Sequence, residues 1–142
     1  MICCFLQHKK LKNGLHLNPN IMIILPQSFK EHEIKNSPFT LDDVKKGLFK
    51  VSKGLGISLR VPQIGKVQFR KISLTSKNGH ARMLTIIQSQ NGLIIPILLR
   101  SKKDKVGENM TAHNKYFMEA FSQMHTKIYE DIESDAFEII TE

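Results

Sequence analysis

Residues 67–99 read VQFRKISLTSKNGHARMLTIIQSQNGLIIPILL. Three runs of strand length stand out: Val67 to Leu74, Ala81 to Gln88 and Leu93 to Leu99. Lys77-Asn78-Gly79 marks the first turn and Gln90-Asn91-Gly92 the second, with Asn-Gly a strong signal for a short hairpin. Consecutive strands joined by such short turns are antiparallel neighbours, so the stretch predicts a three-stranded meander. The middle run is apolar on both faces (Met83, Leu84, Ile86, Ile87), which places it centrally. Pro96 lacks the N–H that a ladder needs and puts the third run near an edge or at a bulge.

Outward from the meander, the period changes to that of helices. Leu41, Val44, Leu48, Val51 and Leu55 recur at spacings of three and four and form one stripe. Thr40 is the expected N-cap, Asp42 and Asp43 suit the helix start, and Gly54 is a natural stop. A second helix is expected from about Thr111 to Ile132, with Phe117, Phe121, Met124, Ile128 and Ile132 as its core stripe. Met22-Ile23-Ile24-Leu25 reads as a buried strand ended by Pro26. Residues 1–20 have no clear periodicity and are expected to be a mobile extension, with Met22 a candidate initiator. The expected architecture is therefore α+β: a small antiparallel sheet built from a strand, a helix and a three-stranded meander, closed by a C-terminal helix. Residues 21–142 make up one domain.

The chain has 142 residues, 41% of them hydrophobic, which is ordinary for a globular protein and too many for a disordered one. Its longest apolar runs fall far short of the ~20 residues that span a bilayer, and its opening lacks the pattern of a secretory signal. The two cysteines, Cys3 and Cys4, are adjacent, which argues against a disulfide and a zinc site and for a reduced, cytoplasmic protein. The net charge of +8 is unevenly spread. From Arg60 to Lys105 there are ten Lys or Arg residues against one acid, Asp104, while Glu130 to Glu142 carries six acids and no base. That split points to a basic working surface and an acidic tail.

Phosphate-loop, nucleophile-elbow and metalloprotease motifs are absent, and the histidines are scattered, so neither a cofactor nor a metal is expected. What remains is the basic set: Lys66, Arg70 and Lys71 on the first meander strand, His80 and Arg82 on the second, then Arg100, Lys102, Lys103 and Lys105 after the third. Neighbouring antiparallel strands are expected to bring these onto one surface, with Arg70 and Arg82 together. Such cations neutralise phosphates and release counterions, which dominates nucleic-acid affinity. RNA can be cut without a metal if a base activates the ribose 2′-hydroxyl and an acid protonates the leaving oxygen. Histidine is the side-chain type that ordinarily exchanges a proton near neutrality, and His80 is the one histidine in the set.

Phe69-Arg70-Lys71-Ile72-Ser73-Leu74, then Gly79-His80-Ala81-Arg82-Met83-Leu84, then Ser101-Lys102-Lys103-Asp104-Lys105 with Glu108-Asn109-Met110-Thr111, resembles the HigB-like branch of the RelE/ParE toxin superfamily. The likeness spans roughly residues 60 to 118. It implies a toxin of a type II toxin–antitoxin system that blocks translation by cutting mRNA, often on the ribosome, and is neutralised by a cognate antitoxin. Arg70, His80 and Arg82 would then be catalytic, and Lys66, Lys71, Arg100, Lys102, Lys103 and Lys105 would bind the nucleic acid. The alternative is a non-catalytic member: a ParE-like gyrase inhibitor, or a basic module that binds nucleic acid or protein.

Overall fold

The computed structural model describes residues 21–59, 67–77, 79–88 and 92–141. The expected extension at 1–20, together with Lys66, Asn78 and Asn91, lies outside them. Strand β1 (Met22–Pro26) leads into a helical turn, α1, that starts at Gln27–Phe29 and runs on as a wider π turn over Lys30–Ile34. Helix α2 (Leu41–Ser52) precedes a short strand β2 (Ile57–Leu59). The meander follows as β3 (Gln68–Ser76), β4 (Gly79–Gln88) and β5 (Leu93–Ser101), then helix α3 (Lys115–Glu133) and strand β6 (Phe137–Ile140).

The class is α+β, as expected, but the sheet is larger and mixed. Six strands lie in the order β2-β3-β4-β5-β1-β6. The first strand joins parallel to β5, with Met22 opposite Leu93 and Ile23 opposite Ile94. All five of its residues are buried, which suits an interior place in a sheet covered on both sides. The two edge strands have three and four residues, too few for a period to show in the sequence. Part of the acidic tail is thus ordered: Glu138 on β6 pairs with Lys30.

Thr40 caps α2 as expected. Its hydroxyl accepts from the Asp43 N–H at 3.2 Å, and the Asp43 carboxylate accepts from the Thr40 N–H at 3.0 Å. Val44, Leu48 and Val51 pack on Ile72, Leu74, Met83 and Leu99. On the opposite side of the sheet, Phe117, Met124, Ile128 and Ile132 of α3 pack on Phe69, Leu84, Ile86 and Ile95. Burying such side chains is worth about 1.5–3 kcal/mol each, so the meander is stabilised from both faces.

Two expectations need correction. Leu55 falls past the end of α2 and is 53% exposed, so it does not extend the stripe. Helix α3 begins four residues later than expected, at Lys115, because Asn114 takes the cap position, and Met110 is buried in the loop before it. Of the two places expected for Pro96 the structure has the second: it sits at the bulge where the β4–β5 register shifts, in a strand that is interior.

One histidine of α3 lies against its aromatic residues. His125 stacks on Phe121 with ring centres 5.7 Å apart, and burial lowers its pKa below 6.5. The fold therefore favours the neutral ring, and this contribution is complete above the unfolded-state value and lost as pH falls through it towards the folded-state value. Urea unfolding at pH 7.5 and 5.5 should show stability falling on acidification. His125→Phe, which keeps the stacking, should make that fall smaller; an unchanged slope would remove the assignment to His125.

Candidate nucleic-acid interface

The first hairpin decides which cations meet. Ser76 pairs with Gly79, Ser73 with Arg82 and Arg70 with Thr85, in one unbroken register. Side chains alternate across a strand, so Arg70 shares the α2 face with Ile72 and Leu74, whereas Lys71, Ser73 and Arg82 point to the α3 face. Arg70 and Arg82 are on opposite faces of the sheet. The expected shared phosphate site between them is not what the register builds.

Arg70 is half-buried beside Gly56: a β-carbon there would come within 2.9 Å of the Arg70 Cγ. Its Nη2 donates to Gln68 Oε1 at 3.3 Å. Arg82 is also engaged. Its Nη1 donates to the carbonyls of Gly107 at 2.9 Å and Glu108 at 2.5 Å, which ties the loop after β5 onto the sheet. That loop passes very close to β5. A β-carbon on Gly107 would lie 2.0 Å from the Ser101 carbonyl oxygen, a backbone atom that cannot swing aside. Gly107→Ala should therefore lift the loop away from Arg82 and cost about 1–3 kcal/mol, measured by denaturant unfolding. A change within about 0.5 kcal/mol, the ordinary range for a surface substitution, would show that the loop is not held there.

Arg100 lies directly across from Arg82, where two like charges would repel. Each has its own acceptors. Arg100 turns to Glu33, with Nε to Oε1 at 3.0 Å and Nη2 to Oε2 at 3.2 Å. Burial alone would lower the Arg100 pKa, but the hydrogen bond and charge of Glu33, with Asp104 behind it, hold it above the ordinary value. Arg100 is thus committed to the fold. Glu33 had no sequence signal, because it stands 67 residues away from its partner.

Two cavities collect the remaining candidates. One, of about 310 Å³, is lined by Lys71, Ser73 and Arg82 together with Gly56 and Ile57. The other, of about 510 Å³, opens where β4 begins and β5 ends, and His80, Lys102 and Lys103 line it with Phe39. His80 Nδ1 is 3.2 Å from the hydroxyl of Thr75, its cross-strand neighbour, and its carbonyl accepts from the Lys102 N–H at 3.2 Å. Neither cavity has a carboxylate among its described lining residues. Lys105 lies further along the same loop, its ammonium 5.1 Å from the centre of the Tyr116 ring.

No family profile, curated protein or solved structure matches the chain. Among the described residues, no three His, Cys, Asp or Glu side chains come together as a cation site. No described helix is long and apolar enough to cross a membrane.

Proposed function

We propose that this chain binds RNA phosphates through its basic cavities and acts as a RelE/HigB-like toxin that cuts mRNA without a metal. The observation that carries the reading is the lining of the two cavities: Lys71 and Arg82 in one, His80, Lys102 and Lys103 in the other, with no carboxylate among the described lining residues of either. A polyanion entering there meets donors and no opposing charge. The sequence order of strand, helix, meander and helix supports the same reading.

In the proposed reaction His80 takes the proton from a ribose 2′-hydroxyl. The 2′-oxygen attacks the adjacent phosphorus, and the bond from phosphorus to the 5′-oxygen breaks. An ammonium, Lys102 or Lys103, gives a proton to the departing 5′-oxygen, and the same cations stabilise the charge that builds on the phosphate oxygens. The products are a 2′,3′-cyclic phosphate and a 5′-hydroxyl. Arg82 acts as a positioning residue for the loop that carries the lysines, and Arg70 has no part on this face.

The test is a translating extract. The chain should stop protein synthesis and leave messenger with 2′,3′-cyclic phosphate ends, with or without a chelator, and a cognate antitoxin should reverse it. Intact messenger with stalled DNA replication would instead favour the ParE-like, non-catalytic reading. If neither process responds, the toxin reading is wrong.

A further inference from the structure

The same loop that lines the His80 cavity ends at an aromatic side chain facing solvent. Tyr116 is 43% exposed, although it sits beside the fully buried Phe117. Two ammonium groups flank its ring, Lys105 at 5.1 Å and Lys115 at 5.3 Å from the centre. The arrangement is held by one side chain. Asn114 Oδ1 accepts from the Tyr116 N–H at 3.1 Å, while its Nδ2 donates to the carbonyls of Lys105 and Asn109, both at 2.8 Å. The loop lysine and the helix tyrosine are therefore set against each other before any ligand arrives.

We infer that Tyr116, with Lys105 and Lys115, is a stacking platform for an unpaired nucleobase, which makes the ligand of this protein single-stranded rather than duplex. The inference rests on the nucleic-acid reading above and narrows it. A flat ring stacks on any base that is not already stacked, and the adjoining ammonium groups meet the phosphates on either side. An ammonium resting on an exposed ring contributes only about two- to five-fold to an equilibrium, whereas a stacked base contributes about five-fold to more than 100-fold. A base can therefore displace either lysine from the ring, and the displaced ammonium becomes free to pair with a phosphate. A paired base in a duplex keeps both its faces covered by neighbours and gains nothing here.

The experiment uses the full chain and a short oligouridylate, whose bases stack poorly on each other, beside an abasic strand of equal length and a hairpin duplex. The wild-type chain should bind the oligouridylate about tenfold more tightly than the abasic strand. Tyr116→Leu should erase that difference and leave duplex binding as it was, and Tyr116→Phe should keep most of it. The chain has no tryptophan, so Tyr116→Trp introduces a single reporter at the platform. Its fluorescence should be quenched by the oligouridylate and not by the abasic strand. Equal, salt-dependent binding of both strands, indifferent to Tyr116→Leu, would overturn the platform while leaving the basic-surface reading in place. Binding of neither strand by the wild type would overturn both, and retention of an acidic peptide in their place would assign the surface to a protein partner.

Discussion

Glu33→Ala should lower the unfolding free energy by about 3 kcal/mol, the low end of the range for breaking a buried ion pair. Glu33 is 2% exposed and serves two groups at once. Its Oε1 accepts from the Leu99 N–H at 2.8 Å and from Arg100 Nε, and its Oε2 accepts from Arg100 Nη2. The parallel partner β1 pairs with β5 at Leu93 and Ile94. Leu99 lies past those pairs near the end of β5, and at that edge position the Glu33 carboxylate from α1 takes the place of a strand carbonyl. Alanine would leave the Leu99 N–H unsatisfied and the guanidinium without its partner. The Arg100 side chain is 30% exposed, so water recovers part of the loss, which is why the low end is expected. Glu33→Gln keeps an acceptor for Leu99 and should lose less, about 1–2 kcal/mol. Urea unfolding of both variants measures the pair; a Glu33→Ala cost below about 1 kcal/mol would mean that water caps this edge equally well.

The second large effect belongs to the proposed chemistry. His80→Ala should slow messenger cutting on the order of 100-fold, the usual contribution of a positioned proton-transfer group. Stability should change by less than about 0.5 kcal/mol, because the side chain is exposed and its hydrogen bond is to another exposed group. Thr75→Ala frees the ring from a hydrogen-bonding neighbour and should cost a few-fold, through orientation alone. Lys102→Ala and Lys103→Ala should each weaken RNA binding and reduce the slope of log affinity against log salt by about 1, and loss of the one that donates the proton should also slow cutting. These readouts separate roles, since a base changes the rate and a phosphate contact changes the salt slope. If His80→Ala slows cutting by less than about 5-fold, a lysine or solvent carries the proton, and His80 is only a turn residue at the start of β4.

Much of this was legible in the residues. Thr40 followed by Asp43, the α2 stripe up to Val51 and the α3 stripe from Phe117 to Ile132 are local patterns, and locally determined elements can be read from spacing. The three meander strands are equally local, because short connections set consecutive strands side by side. Strands β2 and β6 were not legible, since three or four residues carry no period and find their places only by pairing with a sheet already formed. Tyr116 left a faint signal: it stands one residue off the stripe that starts at Phe117, so helical spacing turns it outward, yet nothing local says that Lys105 lies against it.

The division of the basic residues turned on a single residue of register. A three-residue turn over Lys77, Asn78 and Gly79 would pair Ser76 with His80 and set Arg82 opposite Leu74, on the face of Arg70. The observed register pairs Ser76 with Gly79, which has φ 120°, a backbone conformation that residues with a side chain rarely adopt. That one-residue difference moves Arg82 to the other face, because side chains alternate with a period of two. The sequence alone determined that the chain would carry its positive charge on a meander flanked by two amphipathic helices. Only the tertiary structure decided which charges meet water, since Arg82 and Arg100 found their acceptors in a loop and a turn that no local pattern connects to them.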